Sequence, residues 1–293
     1  MNGFINLLKP PGMSSGAAAA VVKRLTGERV GHAGTLDPEA AGVLPIMVGR
    51  ATRLLDCFPD HSKSYVAEIA FAGATDTQDA QGTVIEPGVR VPDREEILAV
   101  LEQFRGTIMQ RPPAFSALKK DGVPLYALAR QGKKVETQAR ETLIRSLELG
   151  EKTGADGYML SIDCGSGTYI RTLCHDIGQA LGAPSHMRFL LRTRHGVFAI
   201  ENAVTIEEVL EAAETGALEK YLLPLDYPLG GLPALQLPEN YWKLGRNGGK
   251  LPAALLPELN EKERCRVYAL DELLGVAHRD GDILRFDVGL TGG

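Results

Sequence analysis

Apolar and polar positions alternate along one segment early in this chain. In residues 62–73, SKSYVAEIAFAG, the side chains of Tyr65, Ala67, Ile69 and Phe71 fall on the same side. This period of two predicts a β-strand with one buried face, and the GATDTQDAQG sequence that follows supplies turn-forming residues. The segment MRFLLRTRHGVFAI predicts another strand, and a GADG turn separates two more apolar segments, 143–149 and 158–164.

Other segments show helical spacing or the residues that begin a helix. After INLLKPPG, Ser14 or Ser15 can cap a helix through AAAAVVKRL, and Asp93 can cap REEILAVLEQF. In GTYIRTLCHDIGQALG the apolar residues recur every three or four positions, which predicts a helix with one side in the core. Arg171 lies early in that helix.

The last quarter of the chain differs in composition. Residues 223–238 contain four prolines and a glycine pair, a composition that resists regular structure and indicates a domain boundary. Beyond it the short apolar runs CRVYAL, LLGVAHR and ILRFDVGL are typical of strands. We therefore predict two domains, 1–230 and a small β-rich domain at 231–293.

Charge is distributed unevenly. The formal net charge is −5, yet residues 105–145 contain nine basic and three acidic side chains. Residues 201–239 contain eight acidic side chains and one lysine. A basic surface that could bind a polyanion and an acidic surface can therefore coexist on one molecule.

Composition also restricts the class of protein. Hydrophobic residues make up 44% of the chain, enough for a substantial core, and no apolar run approaches the roughly 18 residues of a membrane span. The first residues lack the features of a signal peptide, and the four cysteines form no CxxC pair. We expect a cytoplasmic protein with reduced cysteines.

Residues 31–42, GHAGTLDPEAAG, concentrate glycines, a histidine and an Asp-Pro step. Asp37 followed by Pro38 and Glu39 is compatible with the start of a helix, with Asp37 as its N-cap. A phosphate-binding loop is a weaker alternative, because the GxxxxGK[ST] pattern is absent. A third hypothesis is that the turn presents Asp37 as a nucleophilic carboxylate.

The third hypothesis is favoured by a family resemblance. GHAGTLDPEAAGVLPIMVGRATRL resembles the signature of the bacterial-type tRNA pseudouridine synthases that modify the T-loop uridine, the pseudouridine synthase B family. KPPGMSS, SKSYVAEIAFAGATDTQDAQG, PPAFSALKKDGVPLYALARQG, GTYIRTLCHDIG and SHMRFLLRTR resemble blocks of that family in the same order. The likeness spans most of residues 1–230 and is weak beyond them.

The resemblance implies a fold and an activity. The fold is α/β, of the α+β type, with a mixed, largely antiparallel sheet and flanking helices. The activity is isomerisation of uridine to pseudouridine in the T-loop of tRNA, at position 55, on a base flipped out of the RNA. The C-terminal domain, 231–293, would be a PUA-like RNA-binding module, an inference that depends mainly on its position.

The resemblance also assigns roles to individual residues. Asp37 matches the catalytic aspartate, and Arg171 matches the arginine that pairs with it. Tyr65 matches a tyrosine that stacks on uracil and can accept the C5 proton. The substrate-binding positions that the resemblance implies are His32, which would fill the space of the flipped nucleotide, Tyr169 and Leu190.

The remaining expectations concern RNA binding. Lys119, Lys120, Arg130, Lys133 and Lys134 lie in the basic insertion at about 105–145 and would contact the phosphates of the T-arm. The isomerisation involves neither redox change nor hydrolysis, so we expect neither a cofactor nor a metal. A monomer is expected.

Two alternatives stay open on sequence alone. One is an RNA-binding or tRNA-folding factor that uses the same scaffold without catalysis. The other is an enzyme that binds nucleotide phosphates through the glycine-rich loop. The sequence also leaves open whether Asp37 attacks the sugar C1′, adds to uracil C6 or removes a sugar proton.

Overall fold

The structure is a computed structural model that describes residues 1–113, 115, 119–120, 123–124 and 137–291, with the backbone alone at 119–120 and 123–124. The chain divides into two compact units. The first contains Met1–Pro38, Val43–Asp60 and Gly196–Gly293, and the second contains Glu39–Gly42 and His61–His195.

The described residues form five α-helices and eighteen strands. The helices are α1 (Ser15–Thr26), α2 (Arg94–Leu101), α3 (Ile170–Ala180), α4 (Ile206–Glu214) and α5 (Trp242–Arg246). The strands are β1 (Gly3–Lys9), β2 (Val30–His32), β3 (Ala41–Val48), β4 (Lys63–Ala70), β5 (Gly73–Thr75), β6 (Val84–Pro87), β7 (Gly106–Gln110), β8 (Lys119–Lys120), β9 (Val123–Pro124), β10 (Arg140–Thr153), β11 (Gly157–Cys164), β12 (His186–His195), β13 (Phe198–Ala199), β14 (Ala234–Gln236), β15 (Leu251–Pro252), β16 (Arg264–Ala269), β17 (Glu272–Asp280) and β18 (Ile283–Gly289).

The second unit is built on an antiparallel sheet in the order β12-β4-β11-β10-β7. Residues 41–42, the start of β3, add a parallel pair to β12. Tyr65, Ala67 and Ile69 are buried along β4, as the alternation predicts. Helices α2 and α3 contact β10 and β12, so one face of this sheet is covered by helices.

The first unit contains the remainder of β3, with β1 and β2 beside it, and a five-stranded sheet in the order β14-β16-β17-β18-β15. Phe4 and Phe58 pack edge to face with ring centroids 5.7 Å apart, and Tyr268 and Leu273 of the C-terminal sheet belong to the same buried cluster. The C-terminal β-rich part therefore shares a core with segments near the N-terminus. The boundary after residue 230 stays a prediction.

Most predicted elements are confirmed. Ser14 caps α1 by accepting a hydrogen bond from the Ala17 amide, and Asp93 forms a capping box with Glu96 at the start of α2. The mixed, largely antiparallel sheet is confirmed as well. None of the helices in the described part of the chain has the length and hydropathy needed to cross a membrane.

One detail differs from the sequence interpretation. No helix begins at Asp37, because the chain turns at 38–39 and enters β3 at Ala41. The apolar run AGVLPIMV favours a buried strand there and overrides the helix-start residues before it. The two ends of the basic insertion at 105–145 contribute to the paired strands β7 and β10, and its bounds stay a prediction.

Candidate active site

Asp37 lies in the turn between β2 and β3 of the first unit. Its side chain is half-buried, while the preceding Leu36 is 3% exposed and Ala33 is fully buried. Gly34 adopts φ 71°, a left-handed conformation that L side chains rarely adopt. The turn is therefore anchored by apolar side chains and carries the half-buried Asp37 carboxylate.

Lys9, at the end of β1, holds the residue that follows Asp37. The Lys9 side chain is completely buried, and its Nζ donates to the carbonyl oxygens of Pro38 at 2.9 Å, Pro10 at 2.7 Å and Met13 at 2.6 Å. An ammonium group has three N–H donors, and each of these carbonyls can accept one of them. The lysine of KPPG thus joins the N-terminal loop to the Asp37 turn.

Ser15, at the start of α1, holds the residue that precedes Asp37. Its Oγ accepts from the Leu36 amide at 2.8 Å and donates to the Leu36 carbonyl at 3.0 Å. Ser15 is 1% exposed, so both bonds are shielded from water. Each such bond contributes on the order of 1 kcal/mol, and together with Lys9 they restrain the backbone on both sides of Asp37.

His32 belongs to the same loop, five residues before Asp37. It is half-buried at the end of β2, opposite Ile46 of β3. The Ala33 amide donates to the Pro45 carbonyl at 2.9 Å, which closes the hairpin next to the histidine. The first unit therefore brings His32 and Asp37 together on one braced loop.

Arg171 lies in the second unit, in the first turn of α3, and is 5% exposed. Its Nη1 donates to the Thr77 carbonyl at 3.1 Å, and its Nη2 donates to the Phe115 carbonyl at 2.9 Å. The guanidinium therefore joins three separate segments of the second unit.

Asp79 is a carboxylate neighbour of Arg171 that the sequence interpretation did not name. Its Oδ2 lies 3.6 Å from Nη1 of Arg171. Its Oδ1 accepts from Thr77 Oγ1 at 2.6 Å and from the Gln81 amide at 3.0 Å. Because both carboxylate oxygens have partners, Asp79 is oriented toward the arginine.

Tyr169 immediately precedes α3, and its backbone is held by Gln110 of β7. The Tyr169 amide donates to Gln110 Oε1 at 3.0 Å, and Gln110 Nε2 donates to the Tyr169 carbonyl at 3.3 Å. Gln110 is 2% exposed. This two-bond contact fixes the start of the helix that carries Arg171.

Tyr65 and Arg192 face each other on neighbouring strands. Tyr65 is 7% exposed on β4 and is opposite Arg192 of β12, which is completely buried. Burial lowers the pKa of the Arg192 guanidinium, and its hydrogen bond to Tyr65 acts in the opposite direction. A guanidinium that donates to a phenolic oxygen stabilises negative charge on that oxygen.

Leu190 is on the same strand, two residues before Arg192, and is 7% exposed opposite Ala67. Next to Leu190, Arg192 of β12 pairs in parallel with Gly42 of β3. A Cβ on Gly42 would lie 2.2 Å from the Arg192 carbonyl oxygen, and Gly42 has φ 119°. Only glycine allows the two backbones to approach so closely.

A charged network lies on the other face of the sheet at the same strand ends. Asp163 accepts from Ser64 Oγ at 2.8 Å and pairs with Arg194 and Arg145. Burial by itself would raise the pKa of Asp163, but the bonds from Ser64 and Arg194 outweigh it and leave the pKa below its usual value. The network joins β4, β10, β11 and β12.

A second basic feature lies in the first unit. An open pocket of ≈ 410 Å³ is lined by Asn2, Glu28, Arg29, Gly49, Arg50, Thr52 and Arg53. The three arginines outnumber the single glutamate among these lining residues. Such a surface favours an anionic ligand, and the sequence interpretation did not name it because its arginines are dispersed between 29 and 53.

The predicted RNA-contacting cations belong to the basic insertion. Arg130, Lys133 and Lys134 lie outside the described residues. Lys119 and Lys120 lie in β8, for which the backbone alone is described. Their predicted contact with phosphates stays a prediction.

A sequence signal existed for one of the residues that the interpretation missed. Arg192 follows Leu190 by two positions, so an inward Leu190 on a strand implies an inward Arg192. No comparable signal connects Lys9 with Pro38 or Asp79 with Arg171, because those contacts span 29 and 92 positions of the chain.

Comparison with known proteins defines the class. The model of the TruB family pseudouridylate synthase N-terminal domain matches residues 23–170. The model of the tRNA pseudouridylate synthase B C-terminal domain matches residues 171–230. The chain belongs to the TruB family of pseudouridylate synthases, which confirms the resemblance and the class of isomerase.

Individual relatives agree over most of the chain. A protein named tRNA pseudouridine synthase B from Heliobacterium modesticaldum is 44% identical over 82% of this chain and 78% of its own length. One with the same name from Bacillus pumilus is 39% identical over 92% of this chain and 90% of its own length.

Solved structures share the fold. A chain of a Cbf5–Nop10–Gar1 complex superposes with a TM-score of 0.75 at 27% identity, covering 99% of this chain and 85% of that one. A chain of an H/ACA RNP bound to a substrate RNA containing 2′-deoxyuridine gives a TM-score of 0.74 at 25% identity, covering 99% and 85%. These similarities confirm the predicted fold class.

Proposed function

We propose that this chain isomerises a uridine in the T-loop of tRNA to pseudouridine, at position 55, with Asp37 as the nucleophile. The observation that carries the proposal is the Asp37 turn, whose backbone is fixed on both sides by the buried side chains of Lys9 and Ser15. The names of the relatives support tRNA as the substrate. The H/ACA structure with its substrate RNA supports RNA as the partner.

The reaction conserves every atom of the nucleoside. The N-glycosidic bond between uracil N1 and C1′ breaks, the uracil rotates, and a bond forms between C5 and C1′. The proton on C5 is lost and N1 gains one. Whether Asp37 attacks C1′, adds to C6 or removes a sugar proton, it must be ionised and aimed at the nucleoside.

Arg171 is proposed to keep Asp37 ionised when substrate binding excludes water. Desolvation raises the pKa of a carboxylate, while a guanidinium at about 4 Å stabilises the charge by roughly 4 kcal/mol at an effective dielectric constant of about 20. The network of Asp79 and two carbonyls supports this role, because it holds the guanidinium in one orientation.

Tyr65 is proposed to stack on the uracil and to accept the C5 proton. The hydrogen bond from Arg192 supports the second role, since a neighbouring buried cation stabilises the phenolate form that would accept the proton. Leu190 and Tyr169 complete the base pocket in this proposal. His32 would occupy the space that the flipped nucleotide leaves.

RNA binding is assigned to three regions. The basic insertion would contact T-arm phosphates through Lys119, Lys120, Arg130, Lys133 and Lys134. The pocket with Arg29, Arg50 and Arg53 would add a further phosphate contact. Residues 231–293 would form a PUA-like module.

The protein would act as a cytoplasmic monomer, and its affinity for RNA should fall with increasing salt.

The experiment uses T-arm RNA labelled with tritium at uracil C5. Wild-type protein should release tritium over many turnovers, and Asp37→Asn should release none above background while it still binds the RNA in a filter assay. Binding without tritium release by the wild type, even at stoichiometric protein, would overturn the proposal and favour a non-catalytic RNA-folding factor.

A further inference from the structure

Gln78 has a backbone conformation that is unusual for its residue type. It lies in the loop between β5 and β6, where its φ is 63°, in the left-handed region. A residue with a Cβ is strained there, and such a conformation persists where surrounding contacts impose it. The contacts around Gln78 therefore indicate why its backbone is held in this strained conformation.

The backbone of Gln78 is held at both polar groups. Its amide donates to the Thr75 carbonyl at 3.1 Å, and its carbonyl accepts from the Met187 amide of β12 at 3.0 Å. The Ala80 amide donates to the Met187 carbonyl at 3.0 Å, so a short parallel bridge ties the loop to the sheet.

The residues on either side of Gln78 both contact Arg171. Thr77 supplies the carbonyl oxygen at 3.1 Å from Nη1, and Asp79 supplies the carboxylate oxygen at 3.6 Å. The left-handed residue between them reverses the local backbone direction. Both groups consequently reach one guanidinium nitrogen.

The side chain of Gln78 binds the residue that follows Arg171. Thr172 Oγ1 donates to Gln78 Oε1 at 2.8 Å, and Thr172 is 1% exposed. The loop thus contacts α3 at two adjacent positions, through the guanidinium of Arg171 and through the hydroxyl of Thr172. The Gln78–Thr172 hydrogen bond, at 2.8 Å, fixes the position of the loop along the helix. The Arg171–Asp79 contact, at 3.6 Å, is longer and weaker and cannot fix that position alone.

We propose that Gln78 and Thr172 are a positioning pair that sets the orientation of the Arg171 guanidinium during the isomerisation. The inference depends on the proposed function, because it takes Arg171 as the partner of Asp37. Neither residue touches the substrate in this proposal. The hydrogen bond between Gln78 and Thr172 keeps the Thr77 carbonyl and the Asp79 carboxylate in contact with Arg171. Loss of this bond would misorient the Arg171 guanidinium but leave the residue itself in place.

The test measures single-turnover tritium release from T-arm RNA with saturating protein, and RNA affinity separately. Thr172→Val keeps the shape of the side chain and removes the donor, and Gln78→Gly removes the acceptor while relieving the left-handed strain. We expect each to slow the chemical step about tenfold with RNA affinity unchanged, as loss of one orienting hydrogen bond predicts. Thr172→Ser retains the hydroxyl and should restore most of the rate.

The double variant separates positioning from general damage. If one hydrogen bond is responsible, Gln78→Gly with Thr172→Val should be no slower than the slower single variant. Gln179→Ala is the matched control, because it removes another glutamine amide, one that binds Glu86 Oε2 at 3.1 Å on the exposed side of α3. That variant should react at the wild-type rate.

Several outcomes would contradict the positioning pair. They are wild-type rates for Thr172→Val, equal rates for Thr172→Val and Thr172→Ser, and additive effects in the double variant. If Gln78→Gly loses its fold, the two Thr172 variants still decide the question. An inactive wild type would instead refute the proposed function, so the two failures are distinguishable.

Discussion

The Asp37 turn and the surroundings of Arg171 are stabilised in different ways. Around Asp37, the buried side chains of Lys9 and Ser15 bind backbone groups of the neighbouring residues Leu36 and Pro38. Around Arg171, the proposed functional side chain is itself the centre of the network and binds Thr77, Asp79 and Phe115.

The difference indicates how each residue should respond to substitution. Lys9 and Ser15 hold the Asp37 turn through backbone groups of Leu36 and Pro38, so these supports should persist when the Asp37 carboxylate is changed. Arg171 combines a proposed electrostatic role with a structural one. Replacing it should therefore lower both the activity and the stability of the second unit.

The largest expected effect is that of Asp37→Asn. The amide keeps the size of the side chain but is neither a nucleophile nor a charge, so tritium release should fall by about 10⁴-fold or more. The midpoint of thermal unfolding should stay within about 2 °C of wild type. Asp93→Asn, at a helix N-cap where Asn performs equally, is the control for both measurements. Substantial activity in Asp37→Asn would refute the nucleophile assignment.

Arg171→Lys should have the next largest effect. Lysine keeps the charge but cannot bind the Thr77 and Phe115 carbonyls with two nitrogens held in one plane. We expect a loss of about 10²-fold in single-turnover rate and a loss of about 1–3 kcal/mol in the free energy of unfolding, measured by urea titration. Arg94→Lys is a matched control, because exposed Arg94 also binds two backbone carbonyls, those of Gly150 and Leu149. Unchanged stability in Arg171→Lys would contradict the dual role.

Lys9→Met tests the supports of the Asp37 turn. It leaves three carbonyl oxygens without their ammonium donor, and it should lower the free energy of unfolding by about 3 kcal/mol. The rate should fall about tenfold as the turn loosens, which is less than in Asp37→Asn because the carboxylate remains. Lys23→Met, on the exposed side of α1, should change neither quantity. A stable Lys9→Met protein with reduced activity would mean that Lys9 acts on the chemistry instead.

The smallest expected effect concerns pH and the Asp163 network of the second unit. The pKa of Asp163 is lower in the folded protein than its usual value of 3.8, so its ionised form stabilises the fold above that value and the contribution disappears as pH falls through the folded pKa. The difference in melting temperature between wild type and Asp163→Asn should be constant from pH 7 to about pH 5 and shrink below about pH 4. A difference that is the same at pH 3 and pH 7 would show that the charge is not responsible.

Much of the framework could be predicted from the chain alone. Alternation along β4, the apolar runs of β10 and β11, and the cap at Asp93 are local patterns, and the structure confirms each one. The family resemblance identified Asp37, Arg171 and Tyr65 as site residues, and their roles stay proposals. Local pattern was wrong at Asp37, where helix-start residues precede a strand, because burial of the following apolar run outweighs capping preference.

The sequence by itself determined strands such as β4, β10 and β11, the capped helices α1 and α2, and the residue types that could carry the chemistry, because periodicity and capping act over a few neighbouring positions. The tertiary structure alone decided that Lys9 and Ser15 support the Asp37 turn, that Arg192 binds Tyr65, and that Gln78 joins its loop to α3. Those contacts join residues that are between 21 and 127 positions apart. A single sequence has no periodic signal at such separations, and only the packing of the folded chain brings these groups within hydrogen-bonding distance.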